Sequence, residues 1–179
     1  GGPVGVGYTR EKIALRRWFF MGHARATEIR VLRNGQAVAG SQISPPWTEG
    51  HDPKRPPLQK HDPAGARVLL DRFGYRDRDG DGYREAPDGK PLALERWTTP
   101  TSLARQEDEQ WKKNMDAIGL KIVFRTDRIQ ELRKMARQGR IPMRTDGWNA
   151  DYPDAENFMQ LLYGPNVGQE NHARFRLPE

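Results

Sequence analysis

The sequence predicts an α/β fold, and three observations carry that prediction. Strand patterns alternate with helix patterns through the middle of the chain: Leu92 to Trp97, a helix from Thr101 or Ser102, Leu120 to Thr126, a helix from Asp127, then Ile141 to Thr145. Alternation of this kind implies βαβ units, with helices packed on a sheet. The two helices of that region stop at Gly119 and Gly139, the residue type that most easily takes the left-handed turn beyond a helix end. The length of 179 residues is enough for one domain with a real core, or two small ones.

The elements follow in order. Thr9 to Phe20 reads as a helix capped by Thr9, with Ile13, Leu15, Trp18 and Phe19 as its apolar stripe. Met21-Gly22-His23 breaks it. A second short helix turns Ile29 and Leu32 inward and stops at Asn34-Gly35. His23 stands alone at this turn with no acid or nucleophile near it in sequence, so a surface or capping role is expected. Residues 40–63 form an irregular connector holding Pro45, Pro46, Pro53, Pro56, Pro57 and Pro63. Trp47 could anchor it, which favours an ordered belt over a linker. Asp62-Pro63 opens the clearest helix, an N-cap followed by proline, with Ala66, Leu69, Leu70 and Phe73 inward. In the next helix Leu103, Trp111, Met115 and Ile118 face inward, and in the strand after it Ile122 and Phe124 share a side. Asp127 caps the following helix, which buries Ile129, Leu132, Met135 and Ala136. A last helix puts Ala155, Phe158, Met159 and Leu162 on one face, with Pro153 at or near its first turn. The tail from Gly164 is polar, and no internal repeat is evident.

Composition narrows the function. No run of eighteen apolar residues could span a membrane as a helix. There are no cysteines, so disulfides, thiolate metal sites and cysteine nucleophiles are out. The start, Gly1-Gly2-Pro3-Val4-Gly5, has no initiator methionine and reads as a cut, so the chain is expected to be a fragment. The net charge of +6 lies in residues 1–60; the two later thirds contribute −2 and +2 and cancel. A basic first third could meet nucleic acid or an anionic surface. Its basic residues (Arg10, Lys12, Arg16, Arg17, Arg25, Arg30, Arg33) are spread through helical patterns, which favours a solvated helix surface and no nucleic-acid partner.

Asp77-Arg78-Asp79-Gly80-Asp81-Gly82-Tyr83 matches the start of a calcium loop, with Asp77, Asp79 and Asp81 at alternate positions and glycine at the sharp turn. The twelfth position is Asp88, one carbon shorter than the usual glutamate, and no second helix follows. An Asp/Gly turn between a helix and a strand is the expected reading, and a calcium-stabilised domain is the alternative. No hydrolase, zinc-protease or phosphate-loop signature occurs, and glycine-rich Gly1 to Gly7 has no strand before it. His23, His51, His61 and His172 lack metal-ligand spacing. The expectation is a non-enzyme with no cofactor and no resident metal.

The densest chemistry lies at Gly147-Trp148-Asn149-Ala150-Asp151-Tyr152-Pro153-Asp154-Ala155-Glu156-Asn157-Phe158. Composition alone allows an ordinary strand-to-helix loop with Trp148 as core filler. Yet Asp151 falls at the carboxyl edge of the expected sheet, where α/β folds bind ligands. Trp148 and Tyr152 could wall a pocket, and a carboxylate between aromatics suits a cationic group such as an α-ammonium.

These residues resemble the dipeptide- and oligopeptide-binding solute receptors of ABC importers, family 5. The likeness rests on His61-Asp62-Pro63 through Phe73-Gly74-Tyr75 and Asp79-Gly80-Asp81-Gly82-Tyr83-Arg84-Glu85 to Asp88-Gly89-Lys90-Pro91-Leu92. It continues through Trp111 to Val123, Gly147 to Asp154 with Asn157-Phe158, and Asn171-His172-Ala173-Arg174-Phe175-Arg176. It covers about residues 43–179 and is weaker over 1–42. Pro153-Asp154-Ala155 departs from the commoner Pro-Asp-Pro. The resemblance implies a C-terminal lobe of a two-lobed, type II periplasmic-binding-protein fold, a mixed sheet with packed helices, spanning 1–179 as a single lobe. It implies a periplasmic or lipid-anchored extracellular location, a hinge, a second lobe from the same polypeptide and an ABC permease as membrane partner. The ligand would be a peptide or related small solute. By the same likeness Asp151 pairs with a ligand ammonium, and Trp148, Asn149 and Tyr152 line the cleft. Relatives take nickel complexes, haem, glutathione or sugars, so the motif does not name the ligand.

Overall fold

Thr9 is extended, and its hydroxyl accepts the Lys12 N–H at 3.4 Å, so the first helix, α1, runs Arg10–Gly22. The computed structural model describes residues 7–56 and 60–176; the expectations for Gly1 to Val6, Pro57 and the last three residues lie outside them. Ala14, Leu15 and Trp18 are buried along one face of α1, and Ile13 and Phe19 are half-buried beside them. Gly22 ends the helix against the inner side of the fold: a Cβ there would sit 2.8 Å from Ile118 Cδ1, so only glycine allows this approach without a shift. Helix α2 spans Arg25–Leu32 and ends through Asn34 and Gly35, both at positive φ, with the Gly35 N–H returning to the Ile29 carbonyl at 2.9 Å.

Helix α3, Pro63–Arg72, begins as expected, with Asp62 accepting the Gly65 N–H at 2.8 Å, and packs mainly on α1. Strands β1 (Ala93–Thr98) and β2 (Lys121–Thr126) pair in parallel, from Ala93↔Lys121 to Thr98↔Thr126. Helix α4, Ser102–Asp116, makes the crossover between them and is capped by Thr101. Helix α5 follows at Ile129–Arg137, then the four-residue α6 at Glu156–Met159. The core joins α1, α3, α4 and both strands: Leu15, Trp18, Leu70, Leu94, Met115, Ile118 and Leu120 are fully buried.

Several expectations are corrected. Ile141 to Thr145 forms no strand. It makes one parallel bridge, with the Trp97 N–H on the Met143 carbonyl at 2.9 Å, because Pro142 has no N–H to extend a ladder. Asp127 does not cap α5; its carboxylate accepts the adjacent Arg128 N–H, and Arg128 holds the cap position. Leu103 and Ile129 are 40% and 39% exposed, each at the first turn of its helix and turned past the core. The last helix stops after one turn, because Leu161, Leu162 and Tyr163 bond three residues back, leaving Met159 and Leu162 partly exposed rather than in the core. Trp47 does not anchor the belt. It is 94% exposed at φ 65°, while buried Ser44 holds the segment through its carbonyl, which lies 2.8 Å from His51 Nδ1.

His23 is not a surface residue. It is buried, stacks on Trp111 at 4.0 Å, and its Nε2 lies 2.8 Å from Glu28 on α2. Burial lowers its pKa; Glu28 opposes this and the Arg96 and Arg25 charges add to it. A histidine held below its ordinary value of about 6.5 contributes stability that is complete above that pH and lost as pH falls through the folded value. The melting temperature should therefore drop between neutral pH and pH 5, and His23→Gln should flatten that part of the profile.

Candidate functional site

The site is built from the end of β1 outward. The side chain of Arg96, 1% exposed on β1, pairs with Asp108 of α4 and bonds Thr145 Oγ1 at 2.5 Å. Thr98 donates to the second oxygen of Asp108 at 2.8 Å. Arg144, largely buried, contacts Asp146 and lies 3.0 Å from His172 Nδ1. These polar ties, with the Met143 bridge, fix the chain just before Gly147. Sequence reasoning missed Arg96 and Asp108. The period-two alternation that puts Leu94 inward does the same for Arg96 and Thr98, and was the available signal.

From there the backbone runs as an irregular loop to α6. It faces the belt: the Glu49 N–H bonds the Pro153 carbonyl at 3.3 Å, and Gly50, at φ 81°, would place a Cβ 3.1 Å from the Ala155 methyl. Between loop and belt lies an open cleft of 560 Å³, walled on the belt side by Ile43, Pro45 and Thr48. Trp148, Asn149, Asp151 and Tyr152 all line it, so the four residues singled out from sequence are brought together. Trp148 is half-buried and is not core filler; the other three are exposed. Among the described residues no lysine, arginine or histidine lines the cleft, and Asp151 has no ion pair.

Asn157 holds this wall together, and sequence reasoning gave it no role. It is 1% exposed. Its Oδ1 accepts the Trp148 indole N–H at 2.6 Å and the Asp151 N–H at 3.3 Å, and its Nδ2 donates to Asp151 Oδ2 at 3.4 Å. It sits on the single turn of α6, beside buried Phe158.

The acidic loop is a separate feature. Carboxylate atoms of Asp77, Asp79, Asp81 and Glu85 lie within 4.8 Å of one another. Asp88, at the twelfth position of the calcium-loop pattern, pairs with Lys90 at 2.7 Å. The clustered acids also accept backbone N–H groups of their own loop: Asp77 from Gly80 and Gly82, Asp79 from Asp81, Asp81 from Tyr83, and Glu85 from Arg78. Those bonds are what an Asp/Gly connector requires. On the basic helices, Arg33 pairs with Glu107 of α4 and Arg25 reaches the Gly40 carbonyl at 3.4 Å, so part of that charge is used inside the fold.

The architecture is one lobe of a type II periplasmic-binding protein. Solved structures share it. An oligopeptide ABC transporter, periplasmic oligopeptide-binding protein from Thermotoga maritima, solved with mannohexaose, has a TM-score of 0.81 at 17% identity. NikA from Brucella suis, solved with Fe(III)-EDTA, has 0.79 at 22%, and the periplasmic binding protein DppA from Helicobacter pylori, solved with the peptide STSA, has 0.77 at 20%. They match 96%, 98% and 92% of this chain, which spans 34%, 34% and 30% of theirs. No match is found among curated proteins. The model of the bacterial extracellular solute-binding proteins, family 5 Middle, matches residues 13–170, and the chain belongs to that family. This is a family of solute-binding proteins rather than enzymes.

Proposed function

We propose that this chain is one lobe of the extracytoplasmic solute-binding component of an ABC importer, and that it takes a peptide or related small solute. The supporting observation is the cleft between belt and loop, where an acid without an ion pair stands among aromatic and small side chains. Asp151 meets the ligand's ammonium group; Trp148 and Tyr152 flank the ligand, and Asn149 adds a polar contact. A second lobe of the same polypeptide closes over the cleft by a hinge, and the closed form docks on a membrane permease. Residues 1–179 act as a single lobe, with Ile43, Pro45 and Thr48 of the belt as one wall of the cleft. The solved proteins bearing sugar, metal chelate and peptide on this fold leave the ligand class wider than peptides.

The test is Asp151→Ala in the full-length protein, with an alanine tripeptide as probe. Removing a charge-assisted hydrogen bond worth about 1.5–3 kcal/mol should weaken binding by about 10- to 150-fold. Asp151 is exposed and its carboxylate takes one long bond, from Asn157 Nδ2 at 3.4 Å, so the melting temperature should fall by no more than a few degrees. An N-acetylated tripeptide should bind both proteins alike. Equal affinity of the two proteins for the free tripeptide sinks the assignment. Native mass spectrometry of the protein as purified would identify a retained ligand.

A further inference from the structure

We infer that Asn157 is the positioning residue of this cleft: its buried amide sets the places of Trp148 and Asp151 relative to each other. The inference rests on the reading that these two residues meet the ligand. Its own basis is the set of hydrogen bonds. A buried amide has two acceptor sites and two N–H donors to satisfy. Asn157 spends its oxygen on two donors, the Trp148 indole and the Asp151 backbone, and its nitrogen on the Asp151 carboxylate. All three partners lie six to nine residues earlier, in the cleft wall.

The chemistry specifies an amide. A carboxylate at this position could accept the two N–H groups but would face Asp151 with a like charge. An apolar side chain could fill the volume but would leave the indole N–H unpaired. The orientation of the amide is also determined, because the reversed one would set its NH₂ against two donors. The Asn157 backbone is held too: its N–H bonds the Asp154 carbonyl at 3.2 Å, and its carbonyl accepts Gln160 Nε2 at 3.0 Å. With one Asp151 oxygen held by Asn157, the other has no hydrogen-bond partner among the described residues and is available to a ligand cation.

The experiment compares Asn157→Leu and Asn157→Asp in the full-length protein. One readout is hydrogen exchange of the Trp148 indole N–H, followed by NMR with indole-labelled tryptophan and no ligand present. The other is the affinity ratio of free to N-acetylated alanine tripeptide. If Asn157 acts through its hydrogen bonds, Asn157→Leu should speed indole exchange by about tenfold or more, the equivalent of one lost hydrogen bond, and reduce the free-to-acetylated ratio by a similar factor. Asn157→Asp keeps the acceptor oxygens, and a proton shared between its carboxyl and that of Asp151 relieves the like charge, so indole exchange should stay within about twofold of the parent. If Asn157 is only packing, the order reverses: leucine preserves protection, and the buried charge of aspartate destroys it. That reversed order overturns the inference. Should the leucine variant fail to fold, the aspartate variant decides alone, since lost protection there overturns the inference and retained protection supports it. Exchange needs no ligand. If exchange behaves as expected while the parent protein does not distinguish free from acetylated peptide, Asn157 holds the wall as inferred and the ammonium reading falls instead.

Discussion

Replacing Arg96 by methionine should lower stability by about 3–5 kcal/mol, the largest effect expected of any substitution near the cleft. Arg96 is 1% exposed and Asp108 is 9% exposed, and they pair directly. Arg96 also lies 5.3 Å from the Trp111 ring and 3.9 Å from Glu107. Removing the guanidinium leaves Asp108 buried with, among the described residues, only Thr98 as partner, and an uncompensated buried carboxylate is the costly product. The same substitution releases Thr145, so the loop from Gly147 should loosen as stability falls. The control is the double variant Arg96→Met, Asp108→Leu. Removing both charges should recover most of the loss, because the pair gains little over well-packed apolar side chains once desolvation is counted. Urea denaturation of the four proteins measures this as a cycle. A single variant that costs under 1 kcal/mol, or a double variant as damaged as the single, contradicts the account.

Trp18→Ala should cost a comparable amount, about 3–5 kcal/mol, by opening a cavity in the centre of the core. Trp18 is 0% exposed and meets Tyr75 edge-on at 5.6 Å, at the junction of α1 and α3. Trp18→Phe should cost distinctly less. It keeps most of the ring area, and the indole Nε1 has no hydrogen-bond partner among the described residues to lose. The measurement is the urea midpoint at unchanged slope. Equal losses for alanine and phenylalanine would show that the site tolerates no reshaping and that cavity volume is not what sets the cost.

Much of the fold was legible because its signals are local. Thr9, Asp62 and Thr101 cap the helices that their positions suggested, since a cap needs only a hydroxyl or carboxylate three residues from an N–H. The parallel pairing of β1 and β2 across α4 follows from alternating periodicity. The failures share a cause as well. Trp47 reads as an anchor by its size, and Leu162 as core by its spacing, but burial depends on what the rest of the chain places opposite; among the described residues Trp47 stays 94% exposed and Leu162 is only partly covered. His23 has its acid five residues away, and the two meet only because the chain turns between α1 and α2.

The sequence by itself determined the α/β order, the caps of α1, α3 and α4, and the family resemblance, and it singled out Trp148, Asn149, Asp151 and Tyr152 as the residues proposed to meet a ligand. Only the tertiary structure decided that the belt forms their opposite wall, that Arg96 and Asp108 brace the loop, and that Asn157 ties Trp148 to Asp151. The physical reason is range. Caps, periodicity and turn chemistry act over three or four residues and leave their mark in the order of the chain. A buried polar group is satisfied by whichever partner folding brings within hydrogen-bond distance, and that choice is made across 49 residues for Arg96 and Thr145.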